Sequence, residues 1–161
     1  MKGRRFFTVL TVVLAVTLFT TFAFGQVSGG GVGKDQQVTN AVLQSIDNVA
    51  VQLSDLQTSI LNALGLFKDV KIKEDPSGTV TVVADTDSGL CDGKASLYSS
   101  ALTHISYAWN YVNMAYELYY NYCATKNTRL LLKIGTALTN AMNELLIATT
   151  YFYEANAYTC S

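Results

Sequence analysis

The only histidine in the chain, His104, is the side chain best suited to chemistry near neutral pH, as a base or as a metal ligand. Metal sites on helical bundles use Glu-x-x-His pairs or several histidines and cysteines, and the sequence contains neither pattern. A haem held by His104 with Met114 or Met142 is an alternative, but the Cys-x-x-Cys-His attachment sequence is missing. We therefore expect a hydrogen-bonded histidine between helices, with no cofactor and no metal.

Catalysis by acids and bases needs paired carboxyl groups, or a histidine with a nucleophile and an orienting acid. The long helical stretches carry three glutamates, Glu117, Glu144 and Glu154. The folding pattern described below places none of them opposite another, so we expect all three to face solvent. No nucleophile or orienting acid is evident for His104. The sequence thus predicts a protein that is not an enzyme.

An acidic segment, Asp85-Thr86-Asp87-Ser88-Gly89, resembles half of a calcium-binding loop. Its glycine comes one position early for the EF-hand pattern, and the closing glutamate is missing. We interpret it as a solvated acidic loop, with weak calcium binding as the alternative.

The first 25 residues have the pattern of a signal peptide. A basic start is followed by a 19-residue apolar run at residues 6–24, and Ala23 and Gly25 are small residues at the positions that a signal peptidase reads. We place the cleavage before Gln26. Two alternatives stay open: residues 6–24 retained as a membrane anchor, and export by the twin-arginine route. The predicted location is secreted, periplasmic or at the cell surface.

Without the signal peptide, the chain keeps eight basic and twelve acidic residues, a net charge of −4 with the histidine neutral. Nucleic acid binding needs a clustered basic surface, so we expect no nucleic-acid partner. Residues 26–34 include four glycines and no apolar pattern, and they predict a flexible segment before the folded part.

Three long stretches have apolar residues spaced alternately by three and four positions, which is the heptad pattern of packed helices. They predict helices over about 35–64, 94–124 and 129–158. The second stretch has two adjacent apolar seams, so it should contact two neighbours and lie centrally. Asp35 is the expected N-cap of the first helix.

A change of period separates the first two helices. Residues 69–73 alternate polar and apolar side chains, Asp75-Pro76-Ser77-Gly78 is a turn, and the following residues are β-branched, which predicts a β-hairpin at about 69–84. One hairpin is marginally stable alone, so it should lie on the bundle or pair with another chain. The predicted fold class is mainly α: one domain, residues 35–161, forming an antiparallel bundle of three long heptad-patterned helices with one β-hairpin between helix 1 and helix 2.

The short turn Lys126-Asn127-Thr128 makes helices 2 and 3 antiparallel, so that residues equally far from Lys126 face one another. Small residues recur every seven positions on both helices and should interleave, which lets the helices approach closely. They are Ala101, Ala108, Ala115, Ala141, Ala148 and Ala155.

The pairing of the three cysteines is predicted from the same antiparallel geometry. Cys91 and Cys160 lie 35 and 34 positions from the turn, at the same end of the helix pair, and an exported protein permits a disulfide between them. Cys123 lies at the opposite end, about 45 Å away along the helix. It is predicted to be a free buried thiol or to form an intermolecular disulfide.

All ten tyrosines and the single tryptophan lie in helices 2 and 3. Three tyrosines, Tyr107, Tyr120 and Tyr151, lie off the apolar seams. Exposed tyrosines favour interfaces because they join a large apolar body to a polar tip, so these three are candidate interface residues.

The function predicted from these features is that of an exported, non-enzymatic structural or interaction protein, a self-associating surface or assembly subunit. An alternative is a carrier of an apolar small molecule or lipid in a pocket between helices. A further alternative is a haem-binding or metal-binding bundle. Protein partners or self-association are expected, and a membrane is expected only if residues 6–24 remain as an anchor.

Overall fold

The structure, a computed structural model, describes residues 32–160. The predicted signal peptide and residues 26–31 lie outside the described residues. By its internal contacts the chain divides into two compact units, Met1–Ser45 and Ile46–Ser161, with the boundary inside the first helix. The described part of the first unit is helical, and the second unit contains everything discussed below.

Three long helices and one hairpin make up the described chain, so the predicted fold class is confirmed. The elements, in chain order, are α1 (Val32–Leu64), β1 (Val70–Glu74), β2 (Val80–Ala84), α2 (Asp92–Thr125) and α3 (Arg129–Ala157). Helix α1 begins three residues earlier than predicted, and Asp35 lies in its first turn rather than at the cap. A carboxylate there is favoured by the partial positive charge of the helix N-terminus. Within residues 32–160, no helix is long and apolar enough to cross a membrane.

The hairpin is closed by hydrogen bonds within its turn. The Asp75 carboxylate accepts hydrogen bonds from the N–H groups of Ser77 and Thr79, and from the Ser77 hydroxyl. The bond from the Ser77 hydroxyl, followed by the bond from the Thr79 N–H, lowers the pKa of Asp75 below its ordinary value. Gly78 completes the turn with a φ of 83°, a left-handed conformation that glycine adopts without strain.

The hairpin lies on α2. This is the first of the two arrangements expected from the sequence, in which the hairpin packs on the helical bundle. The N–H of Val80 donates to the Thr103 hydroxyl at 2.9 Å, and the N–H of Val82 donates to the Ser99 hydroxyl at 2.8 Å. The side chains of Val80 and Val82 are buried. Helix α2 thus provides β2 with both apolar contacts and hydrogen-bond partners along its outer edge.

The turn between α2 and α3 reverses the chain through one left-handed residue. Lys126 has a φ of 55°, and its N–H donates to the carbonyl of Tyr122, which is a common way for a helix to end. The Asn127 side chain then accepts a hydrogen bond from the N–H of Arg129, two residues later, which forms a local turn directly before α3. The antiparallel pairing predicted for the two helices follows from this turn.

Close packing of α2 and α3 is also confirmed. The two helices are the most extensively packed pair of elements in the described chain. Small side chains allow this approach because they keep the backbones near one another. All six heptad alanines are 0 % exposed: Ala101, Ala108, Ala115, Ala141, Ala148 and Ala155.

Candidate functional site

The open end of the helix pair is closed by the predicted disulfide between Cys91 and Cys160, whose Cα atoms are 5.8 Å apart. Nearby, Lys94 Nζ donates to the Tyr158 carbonyl at 3.3 Å. Gly93 lies directly against the Tyr158 ring, where any β-carbon would collide with the ring. The covalent link, the hydrogen bond and the ring contact all join the start of α2 to the end of α3.

Cys123, at the opposite end of the pair, is free and partly exposed. Burial, followed by the neighbouring Cys123 thiol, raises the pKa of Tyr119 to about 12. The thiol is therefore less buried than the interpretation as a buried free thiol required. The other interpretation, an intermolecular disulfide, stays a prediction.

His104 lies in a cluster of polar and aromatic side chains between α2 and α3. Its Nδ1 is 2.5 Å from Glu144 Oε2, and its ring stacks on Tyr151 with centroids 5.6 Å apart and planes 15° apart. Tyr107 meets the same ring edge-on, at a centroid distance of 6.0 Å. The imidazole is thus fixed on three sides by one carboxylate and two phenol rings.

Two expectations from the sequence are wrong at this cluster. Glu144 was expected to face solvent, and its side chain is only 22 % exposed; His104 was expected to lack an orienting acid, and Glu144 is that acid. The reason is that Ala148 faces His104 across the helix pair, since both are equally far in sequence from Lys126. Its side chain is a single methyl group and leaves space for the imidazole. The imidazole can therefore lie between Glu144 and Tyr151, which come from the turns before and after Ala148.

The cluster can orient a proton on the imidazole of His104. A carboxylate on Nδ1 fixes the ring orientation and leaves Nε2 facing away from Glu144, the arrangement that a general base or a metal ligand needs. Among residues 32–160, Glu144 is the only hydrogen-bond partner of His104. The same part of the chain contains no group of three or more side chains that could hold a metal ion. The arrangement is that of a polar link across the helix pair.

The three candidate interface tyrosines lie in different environments. Tyr107 and Tyr151 are half-buried beside His104, whereas Tyr120 is 65 % exposed. The structure brings Tyr107 and Tyr151 together around the histidine and leaves Tyr120 apart, next to Tyr119. Of the three, only Tyr120 presents most of its surface to solvent.

The acidic loop before α2 is a compact turn. The Ser88 N–H donates to the Asp85 carbonyl at 2.9 Å, and the buried Ser88 hydroxyl accepts a hydrogen bond from the Leu90 N–H. Gly89 is left-handed, with a φ of 77°. The small and polar residues of this loop are those that such a turn requires.

Two hydrogen bonds join α1 to α2 within the second unit, and sequence patterns gave no sign of either. Trp109 Nε1 donates to Gln57 at 3.0 Å, and the Tyr116 hydroxyl donates to Asp47 at 2.6 Å. Burial and the neighbouring Asp47 carboxylate raise the pKa of Tyr116 to about 12. The neutral phenol is thus favoured in the folded chain.

This shift predicts a loss of stability at alkaline pH. A phenol whose pKa rises from about 10 to about 12 on folding stabilises the fold fully below pH 10, and that contribution is lost as the pH rises through 12. We expect the free energy of unfolding, measured with urea between pH 8 and 12, to fall less steeply for Tyr116→Phe than for the unaltered chain. Tyr120→Phe, at an exposed tyrosine, is the control; equal slopes for both variants would contradict the assignment.

The outward side of α3 carries a second heptad pattern, which differs from the apolar seam of the same helix. Seven exposed positions are spaced by four and three residues over about 32 Å of helix, and none of them is charged. Leu132 is 74 % exposed, Tyr153 53 % and Leu146 43 %. We call this surface the outer seam. It consists of Leu132, Thr136, Thr139, Asn143, Leu146, Thr150 and Tyr153.

The threonines of the outer seam present methyl groups rather than hydroxyls. The hydroxyls of Thr136, Thr139 and Thr150 each donate to the backbone carbonyl four residues earlier, at 3.1, 2.9 and 3.0 Å. Each hydroxyl is therefore already satisfied, and its methyl group remains for contact. Counting apolar residues in the sequence could not find this surface, because threonine is scored as polar.

No protein-family model matches the chain, and no curated protein or solved structure matches it either.

Proposed function

We propose that the protein is an exported, non-enzymatic assembly protein that associates with itself through the outer seam of α3. The observation that carries this proposal is the seam itself: seven exposed, uncharged positions at heptad spacing, with three threonine hydroxyls withdrawn into the helix backbone. Heptad spacing is what packs one long helix against another. A face without charges neither repels its own copy nor selects a charged partner.

The spacing of the outer seam suits a second copy related by a twofold axis. In such an interface the residue near the axis contacts its own counterpart, and residues equally far from it exchange places. With the axis near Asn143, the two asparagine amides can hydrogen-bond to each other. Leu132 then comes near Tyr153 of the second copy, and Thr139 near Leu146. The apolar ends cover one another, and the central polar pair fixes the register.

Leu146→Glu should convert the associated protein into a monomer. A carboxylate buried in this interface has no partner, and we expect the dissociation constant to rise by about 100-fold or more. The measurement is sedimentation velocity over about 5–500 μM protein, a range that spans typical weak to moderate association. Val51→Glu is the matched control, because Val51 is an exposed apolar residue on α1, 58 % accessible and outside the seam.

Two outcomes would count against the proposal: an unaltered chain that stays monomeric throughout this range, or an equal effect of Val51→Glu and Leu146→Glu. A cysteine at position 143 in a Cys123→Ser background adds a geometric check. If the twofold axis passes near Asn143, this variant forms a disulfide-linked dimer on oxidation, whereas a cysteine at position 132 does so poorly.

Export through the predicted signal peptide belongs to the same proposal. Its support is the intrachain disulfide, a feature of proteins that fold in oxidising compartments. N-terminal sequencing of the protein from its exporting host tests this part, since cleavage before Gln26 leaves glutamine as the first residue.

The carrier alternative has one supporting observation, a cleft of about 310 Å³ between α1, the hairpin and α2. Its apolar lining includes Leu61, Ile72 and Trp109. This volume is at the lower end of the range for ligand pockets, and the cleft opens to solvent. The seams between helices are filled instead, with Tyr98, Ile105 and Ile134 almost fully buried. Uptake of an apolar dye would favour the carrier.

A further inference from the structure

The hairpin has one outer edge that is hydrogen-bonded and one that is open. Val82 points its N–H away from β1 and toward Ser99. In an antiparallel pair, the residue directly opposite such a position also points its backbone groups outward, and Val82 lies opposite Ile72. The same holds for Glu74, opposite Val80. The outer edge of β1 therefore presents the N–H and C=O groups of Ile72 and Glu74, and no other described residue is hydrogen-bonded to them.

The side chains of β1 differ between its two faces. Lys71 and Lys73 lie on one face, and both are exposed. Ile72 lies on the other face, 44 % exposed, at the border of the cleft that Leu61 and Trp109 also line. A strand added to this edge would thus meet two positive charges on one face. On the other face it would meet a cleft in which Leu61 and Trp109 lie beside polar side chains, among them Glu74, whose carboxylate accepts a hydrogen bond from Ser106.

A second copy of β1 does not fit this edge. Antiparallel pairing of two β1 strands about Ile72 places Lys71 of one copy opposite Lys73 of the other, twice in the same short ladder. Like charges directly opposite one another destabilise a sheet. The lysines therefore exclude self-pairing, in the way that charged side chains protect many natural sheet edges. They do not exclude a strand with opposite charges.

We propose that the outer edge of β1 binds an extended segment of another protein by strand addition, with acidic residues opposite Lys71 and Lys73 and an apolar residue between them, opposite Ile72. Backbone hydrogen bonds to Ile72 and Glu74 hold the segment, the two ion pairs select its charge, and the apolar side chain enters the cleft beside Trp109. This site is independent of the outer seam of α3, so either can fail without the other.

The test uses the full, disulfide-bonded chain and a fluorescein-labelled peptide of sequence Glu-Val-Glu-Val-Glu-Val, measured by fluorescence anisotropy. We expect saturable binding that weakens as salt is added, because the ion pairs are exposed. The double variant Lys71→Glu, Lys73→Glu should bind this peptide about tenfold more weakly and should bind Lys-Val-Lys-Val-Lys-Val in its place. The exposed Lys133→Glu on α3 is the matched control and should change neither affinity.

Ile72→Pro separates strand addition from simple charge attraction. The Ile72 N–H points away from β2, so proline leaves the hairpin hydrogen bonds in place while removing a donor from the outer edge. We expect Ile72→Pro to lose binding of Glu-Val-Glu-Val-Glu-Val with an unchanged circular dichroism spectrum. The proposal is overturned if the unaltered chain does not bind Glu-Val-Glu-Val-Glu-Val, if Ile72→Pro binds this peptide as tightly as the unaltered chain, or if Lys133→Glu weakens binding as much as the double variant.

Discussion

Replacing both Cys91 and Cys160 by serine should lower the free energy of unfolding by about 4 kcal/mol, the largest single effect expected for this protein. The disulfide joins residues 69 positions apart, and opening it returns that loop to the full freedom of the unfolded chain. The corresponding drop in melting temperature is about 10–15 °C for a chain of this size. Urea unfolding followed by circular dichroism gives the free energy, and calorimetry gives the temperature.

Cys123→Ser is the control, because it replaces a cysteine by serine without breaking a disulfide. It replaces a partly exposed thiol by a hydroxyl of similar size, so we expect a change of about 1 kcal/mol or less. The disulfide contributes little if the double variant and Cys123→Ser are equally stable. Treating the unaltered chain with a reductant should reproduce the effect of the double variant.

Ala108→Leu should lower the free energy of unfolding by about 2–3 kcal/mol, because its longer side chain has no room between α2 and α3. Ala108 is 0 % exposed and belongs to the alanine row that lets the helices approach. Pushing the helices apart at this level should also separate His104 from Glu144, one turn away. The measurement is again urea unfolding, supplemented by the histidine ring resonances in a proton NMR spectrum.

Ala124→Leu is the matched control, since Ala124 is exposed near the end of the same helix. Surface substitutions of this kind change stability by about 0.5 kcal/mol or less. A similar cost at both positions would show that α2 and α3 tolerate a wider spacing than the buried alanines indicate.

The architecture could be predicted because it depends on spacing. Alternating intervals of three and four apolar residues define the helices, and the turn chemistry of Asp75-Pro76-Ser77-Gly78 defines the hairpin. The nearly equal distances of Cys91 and Cys160 from the turn at Lys126 predicted their disulfide. Each of these signals depends on residues that are close in sequence, or on residues that become neighbours once the chain reverses at Lys126.

The polar contacts could not be predicted in the same way. Counting from Lys126 places Ala148 opposite His104, and it is the absence of a side chain there that lets Glu144 and Tyr151 reach the imidazole from adjacent turns. The Trp109–Gln57 and Tyr116–Asp47 bonds depend on how α1 is rotated against α2, which heptad spacing does not determine. The outer seam could not be predicted because threonine counts as a polar residue, whereas the threonines of the seam present their methyl groups to solvent.

The position of the disulfide also decides which part of the protein can carry mechanical load. A pulling force applied to the two ends of the chain passes through α1 and the hairpin, crosses directly from Cys91 to Cys160, and leaves at the C-terminus. Helices α2 and α3, with the alanine rows and the His104 cluster, lie inside the closed loop, so their backbones are outside the covalent path of the force. A stretched molecule would lengthen at its N-terminal part, while the paired helices that carry the outer seam keep their shape.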